Sequence, residues 1–352
     1  MSIRLLVALF MGALAPSIAF AQEPWGQEWN LELSRGGSAP LVWADSLLLV
    51  ASLDRNLHLV STAPEPRVRW KDGFKGGFSA APVVTRDRIY LPELDQGGRL
   101  VALDRASRRI EWTAEAGDLA ASPIVSEGRI FTVSTLGELG AWTETGAELW
   151  TTELETRVSS RPALVGQVLV VASSDGRLHA ISAQSGEPVA TTDPDAGPIW
   201  GDLVLLPAEG DGAPTVIFAT LGGQVIEVDA DLTIVRQRSF PSSFYAGPTH
   251  SGERLYLVGH EGTIWSYDWK ADAIDWMLEL EDATVRMAPA LGRDYLAVGD
   301  LRGTLAIVDR IRGVPVWSTR LDGALTSTPV FRGQELFVHT ESGTLYAFRP
   351  TP

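Results

Sequence analysis

The chain contains no cysteine. That excludes disulfides and a cysteine nucleophile, so stability must come from the packed core even in an oxidising compartment. There are five histidines, His58, His179, His250, His260 and His339, and none falls in an H-E-x-x-H or H-x-H spacing. They read as ordinary structural residues rather than metal ligands. No G-x-S-x-G elbow is present. The glycine pairs Gly76-Gly77, Gly97-Gly98 and Gly222-Gly223 lack a following helix or Lys-Ser/Thr and read as turns, not phosphate cradles. The acidic groups Asp193-Pro194-Asp195 and Glu279-Leu280-Glu281-Asp282 lack the alternating ligands and glycine of a calcium loop. Positive charge is also short: the net charge is −15, which disfavours nucleic acid as a partner.

Long hydrophobic runs are missing apart from one at the N-terminus. Met1 to Ala21 reads as a secretory signal peptide, with Arg4 as its positive region, Leu5 to Ala15 as its apolar region and Ala19-Phe20-Ala21 as its cleavage site. The apolar region is too short to span a bilayer. The expected mature protein is a single domain over residues 22–352, exported to the periplasm and without an integral membrane span. A chain of about 330 residues is long enough to bury a large core.

What the chain does have is a repeat. A segment reading G-x-L-x-x-hydrophobic recurs, anchored at Leu57, Leu100, Leu139, Leu178, Val225, Ile264, Leu305 and Leu345. The spacing is about forty residues, the period of a propeller blade. Pro40, Pro82, Pro123, Pro162, Pro198, Pro248, Pro289 and Pro329 keep the same phase and are expected to open first strands, where a missing N–H is tolerated. A third mark is aromatic. Trp70, Trp112, Trp150, Trp276 and Trp317 follow their anchors on the expected fourth strand, while units four and five carry Val189-Ala190 and Val235-Arg236 instead. The stretch Pro207 to Pro214 reads as a long hairpin loop in unit five.

Trp29 has no anchor before it, and the last unit has no fourth strand after it. The two deficits cancel if Glu28 to Leu33 supplies the outer strand of the last blade. The expected fold is therefore all-β, an eight-bladed propeller of four-stranded blades closed by its N-terminal strand.

The pattern G-x-L-x-A-L-D-x-x-T-G-x-x-x-W resembles the pyrroloquinoline-quinone-type propeller repeat. Gly98 through Asp104 to Trp112, Gly137 through Gly146 to Trp150, and Gly303 through Asp309 to Trp317 carry the likeness. The resemblance implies that Trp29, Trp70, Trp112, Trp150, Trp276 and Trp317 dock adjacent blades together. Within the family, size and repeat number are similar to the outer-membrane assembly factors. Those are eight-bladed periplasmic propellers that bind a partner's periplasmic domains through loops on one face. Such relatives are typically lipid-anchored through an N-terminal cysteine, from which this chain departs. The quinoprotein dehydrogenases of the same family are much longer. Many use a vicinal cysteine pair, a calcium ion and a catalytic aspartate, and no match to that set is found here.

The resulting expectation is a monomeric, non-catalytic scaffold with no cofactor or metal and an envelope protein as partner, in the resembling case the outer-membrane barrel-assembly machinery. A small-ligand or glycan-binding propeller and a reduced quinoprotein are the alternatives. Loops joining fourth to first strands carry Phe74, Phe78, Arg157, Phe244, Tyr245 and Arg286, residue types enriched at binding hot spots. These are the expected partner-binding residues, with Phe244-Tyr245 the leading pair.

Overall fold

A computed structural model describes residues 25–33 and 39–351, apart from residues 79, 96 and 209–211. The signal segment and its cleavage site lie outside the described residues. Among those residues no helix is long and apolar enough to cross a membrane.

The described residues form eight antiparallel sheets in sequence order. Blade 1 comprises Val42–Ala44, Leu47–Ala51, Asn56–Ser61 and Arg67–Gly73. Blade 2 comprises Val83–Val84, Arg88–Leu94, Arg99–Asp104 and Ile110–Glu115, blade 3 runs from Ile124 to Glu153, and blade 4 from Ala163 to Thr192. Blade 5 spans Val204 to Ser239, blade 6 Thr249 to Glu279, and blade 7 Ala290 to Arg320. Blade 8 holds Val330–Arg332, Glu335–His339 and Thr344–Pro350, and its fourth strand is Trp25–Glu32. That strand pairs antiparallel with Thr344–Pro350, from Trp25 opposite Pro350 to Glu32 opposite Thr344. The closure expected from the unmatched Trp29 is thus present and consumes the edge that would otherwise pair with another chain.

Burial along each blade follows from the stacking. Second and third strands are covered on both faces by neighbouring blades, so runs such as Leu48-Leu49-Val50-Ala51 are apolar without alternation and fully buried. Fourth strands face solvent on one side and alternate, as in Glu148–Glu153. The core therefore lies between blades. One cluster joins Leu48, Val50 and Val60 of blade 1 to Phe337, Leu345 and Ala347 of blade 8, with Trp29 packed against it.

Turn chemistry explains the repeat signature. The glycine before each third strand sits at positive φ, from Gly98 at 69° to Gly176 at 101°, and in blade 1 Arg55 adopts the same conformation at 72°. At Gly137 a side chain would also meet the neighbouring loop, since a Cβ would lie 2.1 Å from Thr156 O.

The fourth-strand tryptophans reach across the gap. Trp112, Trp150 and Trp276 donate from Nε1 to Glu144 O, Ala183 O and Arg310 O of the next blade, at 2.9, 3.2 and 3.1 Å. Each indole lies on a glycine of that blade's last turn: Gly146, Gly186 and Gly313. Trp70 faces Arg108 of blade 2 and Trp317 faces Phe348 of blade 8. Where tryptophan is missing, other groups take over. Arg236 of blade 5 donates to Trp269 O of blade 6 at 3.0 Å, and Trp269 Nε1 donates to the buried Glu227 at 2.7 Å. Beside Ala190 of blade 4, Leu232 of blade 5 is buried in the shared cluster.

Two expectations need correction. Pro198 does not open a strand; blade 5 begins six residues later at Val204, so an extra segment precedes its first strand. Phe78 is not in a loop. Gly77–Phe78 forms a short additional strand on blade 2, pairing with Leu94 and Glu93. Buried Glu93 holds it there by accepting from Gly76 N at 2.8 Å while Arg99 pairs with its other oxygen at 2.6 Å.

The seam between blades 8 and 1 buries two histidines, His339 and His58. Neither ring nitrogen of His339 makes a well-formed hydrogen bond among the described residues. Desolvation, helped by the proximity of His58, pushes His339 down to about 4, with the Gly343 backbone, Asp54 and Asp322 opposing more weakly. His58 is lowered too, by burial first and then by Lys71. Native His339 therefore binds fewer protons than the unfolded chain between pH 4 and 6.5. Its contribution is complete above pH 6.5 and lost as pH falls towards 4, amounting to about 3 kcal/mol. Denaturant unfolding at pH 7 and pH 4.5 should show this loss, and His339→Leu should flatten the dependence. In the same assay Gly146→Ala should lower stability by about 1–3 kcal/mol, because the methyl group would lie 2.5 Å from the Trp112 ring.

Candidate partner-binding site

Loops from fourth to first strands and turns from second to third strands share one face. They hydrogen-bond to each other directly: Phe74 N donates to Arg55 O, Ser174 N to Arg157 O, and His260 N to Ser243 O. On this face the lead-in segments of blades 5, 6, 7, 8 and 1 converge on a cavity of about 320 Å³ at the mouth of the ring. Its walls include Trp200, Tyr245 and Arg286, with Thr326 and Thr328 opposite.

Tyr245 is the centre of a fixed cluster. The Trp200 ring meets it edge-on at 5.3 Å. His260 lies against it at 4.4 Å, and the Arg286 guanidinium sits 5.0 Å from its centroid. His260 Nδ1 is 3.1 Å from Val285 O; a carbonyl only accepts, so Nδ1 carries the proton and the ring is held in place. The backbone beneath is equally constrained. A Cβ on Gly201 would lie 2.2 Å from Gly247 N, and one on Gly247 would lie 2.1 Å from Asp202 O. Only glycine lets the loops of blades 5 and 6 approach this closely.

The cluster is rigid but open. Trp200 is 42% exposed, Arg286 is exposed and Tyr245 is half-buried. Leu53 and Leu136, on second-to-third turns of the same face, are 46% and 69% exposed. A pre-ordered aromatic and arginine patch loses little side-chain entropy on contact with a protein surface.

Of the six residues expected to bind a partner, the structure brings Tyr245 and Arg286 together. Arg157 is exposed on the same face, between blades 3 and 4 and apart from the cluster. Phe74 is half-buried and packs edge-on against Phe78 at 5.1 Å. Phe78 and Phe244 have no accessible surface, so neither can touch a partner. Phe244 instead fills the blade 5 to blade 6 core, 5.9 Å from Phe240 and 5.8 Å from Trp265. Sequence reasoning missed Trp200, which stands outside the phase of the repeat tryptophans, and that offset was the available signal. Among the described residues no three His, Asp or Glu side chains are placed to hold a metal ion together.

This architecture defines the class: eight-bladed propellers of the pyrroloquinoline-quinone repeat type. The family model described as outer membrane protein assembly factor BamB matches residues 19–122, 96–199 and 276–351, and the chain belongs to that family. The outer membrane protein assembly factor BamB of Shewanella oneidensis is 25% identical over 287 residues, covering 77% of this chain and 71% of that protein. The crystal structure of BamB from Moraxella catarrhalis superposes with a TM-score of 0.76 at 17% identity, covering 93% of this chain and 100% of that one. A europium-containing methanol dehydrogenase superposes with a TM-score of 0.75 at 11% identity, covering 92% and 93%. At those identities the structural likenesses speak to the fold alone. Trp200 and Tyr245 fall between the segments that the family model matches.

Burial separates the two members of the Phe244-Tyr245 pair. Phe244→Ala should destabilise the ring by about 3–5 kcal/mol, as expected for emptying a filled core site. Tyr245→Ala, which empties no core site, should cost clearly less, about 1 kcal/mol. Equal losses in the two variants would contradict the assignment of Tyr245 to the surface.

Proposed function

We propose that this propeller is an exported, non-catalytic interaction scaffold of the bacterial cell envelope that serves outer-membrane protein assembly. Membership of the BamB family supports the setting and the role. The observation that carries the mode of action is the Trp200–Tyr245–Arg286 cluster at the mouth of the ring. Stacking and hydrogen bonding hold it in place while its outer surface stays accessible. The partner is an envelope protein that lays an apolar segment with an adjoining carboxylate against the cluster. Trp200 and Tyr245 supply contact area, and Arg286 supplies the counter-charge. Leu53 and Leu136 extend the contact along the same face.

The test is affinity capture from the native envelope, comparing the wild-type protein with a Trp200→Ala, Arg286→Glu variant. Recovery of the barrel-assembly machinery by the wild type and its loss by at least about tenfold in the variant is expected, since hot-spot truncations cost about 2 kcal/mol or more. The variant should melt within a few degrees of the wild type. Undiminished recovery by the variant would remove the cluster from the binding surface, and recovery of no assembly component by the wild type would remove the role itself.

A further inference from the structure

The opposite face of the ring, formed by turns between first and second and between third and fourth strands, carries a different feature. A cavity of about 540 Å³ spans the closing seam, with walls from blades 8, 1 and 2. Three arginines line it: Arg332 from the first turn of blade 8, Arg69 from the outer strand of blade 1, and Arg108 from the last turn of blade 2. Ser46, Thr62 and Glu335 complete the polar wall.

Each arginine is held by something other than a carboxylate. The Arg332 guanidinium stacks 4.1 Å from the Trp43 ring centroid, and that of Arg108 lies 5.7 Å from the Trp70 centroid. Arg69 Nε donates to Ser61 Oγ at 2.9 Å. None of the three makes an ion pair within 4 Å among the described residues, whereas Arg99, for example, is paired with the buried Glu93. Arg108 Nε is buried without any hydrogen-bond partner. A guanidinium held by its face keeps its in-plane N–H edges available, and guanidinium groups only donate. Three like charges gathered in one cavity repel unless an anion sits among them. The one carboxylate in the wall, Glu335, stands opposite Arg332 across the strand pair without a close ion-pair contact, and a single carboxylate does not balance three guanidinium groups.

We propose that this cavity is a binding site for a phosphate-type oxyanion, either a free phosphate compound or the headgroup of an anionic lipid. The forked donors of Arg69 and Arg332 suit the oxygens of a phosphoryl group, and the serine and threonine hydroxyls can complete its shell. Glu335 is the opposing element in the wall. Its carboxyl is pushed up by burial first and then by Glu28, with Arg349 and Arg332 opposing more weakly, so acidification neutralises it and removes repulsion towards the anion. Because the site draws on three blades across the seam, occupancy also fastens the ring.

The test uses the intact protein titrated with inorganic phosphate at constant ionic strength, followed by calorimetry and by the melting temperature. Saturable binding and a raised melting temperature are expected. Arg69→Gln with Arg332→Gln should weaken phosphate affinity about tenfold or more, the worth of a charged hydrogen bond. Glu335→Gln, which does not threaten the fold, should strengthen it and reduce its pH dependence. Co-sedimentation with phosphatidylcholine vesicles, with and without phosphatidylglycerol, separates the two sources. Phosphatidylglycerol-dependent binding lost in the double variant identifies a headgroup, and phosphate binding without vesicle binding identifies a soluble compound. No saturable phosphate binding, or the same affinity in wild type, double variant and Glu335→Gln, overturns the proposal.

Discussion

A four-stranded blade has two apolar faces and cannot cover either one itself. Everything else in this protein follows from that constraint. The faces are covered only if each blade lies between two others, which forces a ring, and a ring demands that its last blade meet its first. Here the meeting is non-covalent, since the chain has no cysteine to staple it. The strand Trp25–Glu32 performs the closure by pairing with the end of the chain, and Trp25 is buried against Tyr295 and Phe331 of blades 7 and 8. Local turn geometry, the tryptophan contacts and the positions of both surface sites are consequences of how the gaps between blades are filled.

Because the constraint repeats, the sequence repeats, and most of the fold was legible for that reason. The left-handed turn before each third strand must be glycine or tolerate strain, so glycine recurs at that point and Arg55 is the exception. The docking tryptophan needs a bare turn on the next blade, so tryptophan and glycine recur together, as with Trp112 and Gly146. Legibility failed where the repeat solved the same problem by other means. Blade 5 joins blade 6 through Arg236, Glu227 and Trp269, a polar solution with no recurrent mark. Pro198 kept the phase of the prolines but belongs to an inserted lead-in segment, which a count of residues alone does not reveal.

The site was legible only in part, and the reason is physical. Residue type says that an aromatic or an arginine can anchor an interface, whereas exposure depends on which way one loop residue faces. Adjacent Phe244 and Tyr245 point to opposite environments, the core between blades 5 and 6 and the open mouth. Phe78 looked like a loop residue because its two-residue strand is too short to show alternation, and the Glu93 contact that holds it comes from a different strand. Trp200 and Tyr245 lie forty-five positions apart and meet only because Gly201 and Gly247 allow two loops to touch. No local pattern encodes such a contact.

The blade 8 to blade 1 seam differs from the gaps closed by tryptophan in the character of what fills it. Trp112, Trp150 and Trp276 close theirs with an indole N–H on a carbonyl, a neutral bond indifferent to pH and salt. The closing seam instead buries the imidazole of His339 beside His58, and at its surface gathers arginines held by aromatic faces. Both arrangements depend on ionic conditions: the first weakens with protons, the second responds to anions. They sit between blade 1 and blade 8, the blade whose outer strand is the start of the described chain paired with its end. A proton or an anion acting at this seam changes the free energy of the interface that joins the last blade to the first, and the loop face needs every blade in place.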